Sequence, residues 1–226
     1  MVADTRWVHA LGLRLDEGWW RLPPAERCAE VRAFTGAVRQ QAGVRTHCYS
    51  MAGLRGGVDL LLWRLGSEPE ALEESTASSL RCGFGRWLGR AHSFIGTLSA
   101  SPYVHRRPER EPALFDGDRS RYLIVYPFVK ATSWYAMGHD LRQGIMAEHI
   151  RVGRSHPEVR QLLASSFGVD DGDFLVAYET DDAAGFSSLV EELRATRGRQ
   201  FTASDTPVLV GVHRSLDEIG QRLGAA

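Results

Sequence analysis

The hydrophobic pattern changes period repeatedly along the chain. Runs that alternate every second residue give way to runs whose apolar positions recur every three or four. "RWVHALGLRL" (6–15) and "RYLIVYPFVK" (121–130) are rich in β-branched and aromatic residues and predict strands. Each is followed by a predicted helix, 23–41 in the first case, with Pro in its first turn, and 140–154 in the second. Next come "GVRTHCYSMAG" (43–53) and "PEVRQLLASSFG" (157–168). Both read as strands, the second with a helical alternative. A Gly/Asp turn and an apolar β run follow in each half, Asp59–Arg64 and Asp173–Glu179. Each half then has an acidic cap region and an amphipathic helix ending in Leu-Arg. In the second copy Asp181 or Asp182 can cap that helix, and Phe186, Leu189, Val190 and Leu193 recur at helical spacing. The last strands are 92–101 and 206–215.

The chain therefore repeats itself. Each half reads β-α-β-β-α-β, the ferredoxin-like order. Two such halves predict an α+β fold in which both sheets join into one barrel with helices outside, the dimeric α+β-barrel type. The division is an N-terminal repeat at 1–101, a linker at 102–120 rich in Pro and charge, and a C-terminal repeat at 121–226.

Composition narrows the function classes. The 226 residues are 43% hydrophobic and 24% charged, an ordinary globular balance. With 27 basic against 28 acidic residues, charge gives no case for nucleic acid or an anionic membrane as the main partner. Cys28, Cys48 and Cys82 form no CxxC pair, so they read as three reduced thiols of a cytoplasmic protein. The N-terminus carries charges throughout and is not a signal peptide. No apolar run approaches the ~20 residues of a membrane span. The Gly-rich "GLRGGVD" (53–59) has no GK[ST] after it and is not a phosphate loop.

Candidate chemistry concentrates between 125 and 154. Leu141, Ile145, His149 and Val152 share one helical stripe, which puts His149 on a buried face. A histidine there is either a satisfied core residue or a ligand with one free lone pair. No second ligand stands at i+3 or i+4, which excludes an HExxH zinc site; a single axial histidine is what a haem iron needs. In "YPFVK", Tyr126, Phe128 and Lys130 alternate onto one strand face. If that face points into the barrel, Tyr126 and Lys130 share a cavity where Lys130 neutralises an acidic group. Otherwise they are core packing and a solvated strand end. Trp134 and Tyr135 follow as an aromatic pair of the kind that usually packs in a core. Of the remaining histidines, His105, His139 and His156 fall in predicted loops, and His9, His47, His92 and His213 lie in or beside strands with no partner at ligand spacing.

"YLIVYPFVKATSWY", "MAEHIRVGRSHPEVR", "DGDFLVAYETDD" and "TPVLVG" together resemble the chlorite dismutase family. Within it the likeness is to the coproheme decarboxylases of actinobacteria. "AGLRGGVDLLLW" is similar to the first-half turn and strand of the same proteins. The resemblance spans about 120–215 most strongly and 43–101 less so. It implies two ferredoxin-like repeats in a barrel, a homopentamer, and haem or coproheme held in the second half.

Residue by residue, the resemblance implies that His149 is the axial iron ligand. Tyr126 takes the place of the tyrosine that becomes a radical, Lys130 that of the propionate-binding lysine, and Trp134 that of the tryptophan at the porphyrin edge. Gln161 takes the distal position, where chlorite dismutases carry arginine. Gly198 stands where they place a glutamate behind the axial histidine; losing both groups argues against chlorite chemistry. In the linker, Arg110 or Glu111 stands where actinobacterial decarboxylases carry a distal histidine. The implied activity is decarboxylation of Fe-coproporphyrin III (coproheme) to haem b with hydrogen peroxide as oxidant. A ferrochelatase is the implied partner. The alternatives are a peroxidase-like or specialised oxidative haem enzyme, a non-catalytic haem carrier, and a haem-free barrel.

Overall fold

The strands form where the alternating pattern predicts them, and the computed structural model describes residues 6–98 and 117–225. Along the chain run β1 (Arg6–Leu15), α1 (Pro24–Arg39), β2 (Val44–Arg55), β3 (Val58–Gly66), α2 (Pro69–Leu80) and β4 (Leu88–Leu98). Then come β5 (Tyr122–Lys130), α3 (Thr132–Ala136), α4 (His139–Arg154), β6 (Arg160–Ser165), β7 (Phe174–Thr180), α5 (Ala183–Ala195), β8 (Thr202–Ser204), β9 (Leu209–His213) and α6 (Leu216–Arg222). Contacts group them into two units, Met1–Leu98 with Val210–Ala226, and Ser99–Leu209.

In the first unit β1 lies between β3 and β4, and β2 pairs with the far side of β3, all antiparallel. The glycine-rich segment is the β2–β3 hairpin turn. Gly57 sits there at φ +82°, a conformation a side chain would disfavour. One sheet face packs on α1 through Leu11, Leu13, Leu60, Leu62, Phe34 and Phe84. α6 completes that core: Trp19 donates its indole N–H to the Leu223 carbonyl at 2.6 Å. A Cβ on Gly220 would come within 2.7 Å of Val31, so glycine permits the close approach of α6 to α1. His9, which has no partner at ligand spacing, is held by two hydrogen bonds. Its Nδ1 accepts from the Arg64 guanidinium at 2.7 Å, and its Nε2–H donates to Ser93 at 2.8 Å. Burial, with the charge of Arg64, pushes its pKa down to about 3 and keeps it neutral.

In the second unit the strand order is β6-β7-β5-β8, again antiparallel. The ambiguous 157–168 segment is a strand at its centre. Leu162 and Ala164 are fully buried on one face, while Gln161 and Leu163 lie on the other. Asp182, not Asp181, caps α5 by accepting from the Ala184 N–H. Glu179 is fully buried and ion-pairs with Arg160 at 2.7 Å and Arg119 at 3.3 Å. Two expected features of chain organisation meet the structure differently. Most of the 102–120 linker, with Arg110 and Glu111, lies outside the described residues. The 206–215 segment, read as the closing strand of the second repeat, pairs through β9 with β2, His213 opposite Tyr49. The partner of β5 on that side within the second unit is the short β8.

Candidate functional site

The helix-facing side of the second unit's sheet gathers the candidate residues. Antiparallel register sets which side chains share a face. On β5 that face carries Ile124, Tyr126, Phe128 and Lys130; opposite them on β7 stand Tyr178, Val176 and Phe174. Gln161 on β6 stands opposite Tyr178. Tyr178 packs on Phe186 of α5 at 5.1 Å between ring centroids, which identifies the side covered by helices. Tyr126 and Lys130 therefore share the face that turns toward the helices.

The helices cover this face incompletely. Tyr126, Phe128 and Lys130 are half-buried, Gln161 is exposed, and Leu163 beside it is 38% exposed. On the opposite face Leu123 and Val125 of β5 and Leu162 and Ala164 of β6 are fully buried. Lys130 lies in the uncovered gap with its ammonium 4.4 Å from the Trp134 ring centroid and 5.0 Å from that of Phe128. No carboxylate lies within ion-pair distance of the ammonium among the described residues. Asp173 is engaged elsewhere, accepting from the Lys130 backbone N–H at 2.6 Å and the Tyr135 hydroxyl at 2.7 Å. Burial pushes the Lys130 pKa down to about 8, partly offset by Asp173. Trp134 is buried, at 3% exposure, against Phe201 at 5.7 Å. Tyr135 is 41% exposed and packs on Phe167, so the expected core pair is split.

His149 projects from the third turn of α4. The stripe predicted for this helix holds only in part. Ile145 is buried, His149 and Val152 are half-buried, and Leu141 is 55% exposed. The reason is where α4 packs: its middle turns rest on the turn Arg197–Phe201, and Leu141 lies ahead of that contact. A Cβ on Gly198 would stand 3.8 Å from Ile145 and 3.9 Å from His149 Nδ1. Gly198 thus backs the imidazole and offers it no side chain. The neighbouring carboxylate, Glu148, instead accepts from the Arg197 backbone N–H at 3.1 Å. The His149 ring makes no hydrogen bond among the described residues, and burial, helped by the charge of Lys130, holds its pKa below the ordinary value. It is a neutral imidazole with a free lone pair. No cluster of three or more His, Cys, Asp or Glu residues able to hold a metal occurs among the described residues. The donor set therefore suits a metal that brings its other ligands with it. An iron porphyrin does so, and its carboxylates and flat apolar ring match Lys130 and the uncovered strand face.

Sequence reasoning missed Tyr178. It reads as one apolar position in "FLVAYET", and only the β5–β7 register brings it beside Tyr126, with ring centroids 6.2 Å apart. Burial, foremost, raises the Tyr126 pKa, and the neighbouring Tyr178 partly offsets this.

The chlorite dismutase family model matches residues 24–214. A coproheme decarboxylase from Mycolicibacterium smegmatis is 30% identical over 180 residues, 77% of this chain and 75% of that protein. Among solved structures, chlorite dismutase from Candidatus Nitrospira defluvii in complex with imidazole superposes with a TM-score of 0.87 at 25% identity, over 99% of this chain and 97% of that one. An engineered variant of the same enzyme gives 0.88 at 25% identity, over 97% and 95%. The shared fold class is α+β, two ferredoxin-like repeats of the dimeric α+β-barrel type.

Proposed function

Since the chain belongs to the chlorite dismutase family, we propose that it is a peroxide-dependent coproheme decarboxylase that converts Fe-coproporphyrin III to haem b. The observation that carries this reading is the convergence on one incompletely covered sheet face of an imidazole with no hydrogen bond, a half-buried ammonium and a half-buried phenol. His149 holds the iron of the porphyrin substrate through its free ring nitrogen. Lys130 anchors a propionate carboxylate; in a partly desolvated site a charge-assisted hydrogen bond of this kind outweighs a neutral one. Trp134 would flank the bound porphyrin and Gln161 would offer it a neutral amide.

Bound, the iron porphyrin with peroxide supplies oxidising equivalents. Tyr126 gives up its hydroxyl hydrogen atom and then takes one from the propionate β-carbon. For each propionate, the protonated acid and one hydrogen peroxide yield a vinyl group, carbon dioxide and two waters. Both lost hydrogens and the carboxyl electrons are then accounted for. Chlorite chemistry is disfavoured because Gln161 brings no positive charge and Gly198 no carboxylate behind the axial imidazole.

Tyr126→Phe tests the assignment. Phenylalanine keeps the ring packing and removes the abstractable hydrogen. The variant binds coproheme with near-normal affinity and stalls before the first decarboxylation. Haem b formed by it at the parent rate contradicts the assignment.

A further inference from the structure

We infer that Asp173 is a positioning residue for Lys130, tying the end of β5 to α3 so that the ammonium stands against Trp134 in the gap. This rests on the reading that Lys130 anchors a propionate. The geometry begins where a ladder stops. β5 and β7 are last paired at Phe128 and Phe174. Two residues on, the Lys130 N–H donates to the Asp173 carboxylate at 2.6 Å. The same oxygen, Oδ2, accepts from the Tyr135 hydroxyl at 2.7 Å. One oxygen thus closes the segment from 130 to 135, and Trp134 lies within it. The Asp173 backbone is itself fixed. Its N–H donates to the Phe128 carbonyl at 3.0 Å, and its carbonyl accepts from the Ser166 N–H at 2.9 Å. The Lys130 side chain, with its ammonium 4.4 Å from the Trp134 ring centroid, spans the closed segment.

The first unit has the same joint without the ammonium. There β1 and β3 are last paired at Leu13 and Leu60, and Leu15, two residues on, donates its N–H to Asp59 Oδ2 at 2.7 Å. Asp59 and Asp173 therefore hold equivalent places in the duplicated order. In the first unit the held residue is Leu15, which packs against the apolar core. In the second it is Lys130, the only lysine in the sequence, and the carboxylate also takes the Tyr135 hydroxyl. A joint that closes a ladder in one repeat holds the charged arm of the candidate site in the other.

A single lysine makes the test direct. The first readout needs no porphyrin: the full chain, labelled with carbon-13 at the lysine ε position, gives one lysine signal by nuclear magnetic resonance. Measurements are made well below pH 8, where Lys130 keeps its ammonium. In the parent the Trp134 and Phe128 rings shift the ε protons upfield. Asp173→Ala moves the signal toward that of free lysine, and Tyr135→Phe moves it part of the way. Asp173→Asn keeps it near the parent position, because one amide oxygen can accept both bonds. Asp59→Ala opens the equivalent joint in the first unit and leaves the signal in place. The second readout is affinity for ferric coproporphyrin III by fluorescence quenching. Asp173→Ala weakens binding about tenfold, the worth of one hydrogen bond to a charged group. Added to Lys130→Met it weakens binding no further, since both variants lose the same interaction. Where Asp173→Ala does not fold, Tyr135→Phe carries both readouts. A lysine signal unmoved by Asp173→Ala and Tyr135→Phe, or moved as far by Asp59→Ala, overturns the inference and leaves the proposed function standing. Losses that add in the double variant do the same. A parent chain that binds no coproheme overturns the proposed function, and the lysine signal then decides the positioning alone.

Discussion

Lys130 links the electrostatics of the gap to its chemistry most directly. Its ammonium is disfavoured by burial and has only aromatic rings beside it, so its pKa falls from 10.5 to about 8. The folded chain thus prefers neutral Lys130, and this group's contribution to stability rises as pH climbs from about 8 to 10.5, where only the unfolded chain still binds the proton. Binding has the opposite sign. A carboxylate needs the ammonium, so coproheme affinity holds below pH 8 and falls above it, approaching tenfold per pH unit. Lys130→Met flattens that slope and weakens binding at neutral pH. A fluorescence-quenching titration against pH reads both, and a slope unchanged in the variant rules Lys130 out as the propionate anchor. His149 makes a separate prediction. On the proposed reading, its neutral imidazole, which makes no hydrogen bond among the described residues, is the iron ligand, so His149→Ala loses tight ferric coproporphyrin binding and the parent Soret spectrum. An unaltered spectrum and affinity contradict the ligand assignment.

At the scale of elements, register does what the residues alone cannot. The order β-α-β-β-α-β was legible in each half because strand and helix periods differ and the turns carry Gly and Asp. The face carrying Tyr126 and Lys130 was legible as a pair, since alternation is local. Which side that face turns to was not, because burial of either side is compatible with "YLIVYPFVK". Tyr178 was hidden for the same reason: its neighbour lies on another strand. The end of the chain shows a different limit. Helix α6 carries a readable start signal, Ser215 with Glu218 in a reciprocal capping box, but its seven residues are too few for periodicity to register. Buried charge is also invisible locally. Glu179 looks like the polar end of an apolar run, yet it ties β6 and the segment before β5 to β7 through Arg160 and Arg119. Removing its charge leaves two guanidiniums without their carboxylate. Glu179→Gln therefore costs about 3 kcal/mol of stability, the lower part of the range for breaking a buried pair. Chemical denaturation measures this, and a loss below about 1 kcal/mol shows the triad to be dispensable.

The two units share an order of elements but treat their sheet–helix interfaces differently. In the first, leucines, Phe34, Phe84 and Trp19 fill the space between β1, β3 and α1 with fully buried side chains. In the second, the corresponding face keeps Tyr126, Phe128 and Lys130 half-buried and leaves Gln161 and Leu163 exposed. Leaving apolar strand surface uncovered forfeits about 25 cal/mol for each Å² not buried, a loss that a flat apolar ligand recovers. The first interface is closed by its own side chains, and the second leaves strand surface uncovered. The central claim is that this opening is a coproheme decarboxylation site. Its most direct test is a mass-resolved time course: purified protein loaded with one equivalent of ferric coproporphyrin III, then given hydrogen peroxide in small steps. The account predicts the tetracarboxylate converting through a singly decarboxylated species to haem b, with two peroxides consumed per porphyrin. Coproheme that binds and stays undecarboxylated, or is only bleached by peroxide, contradicts it.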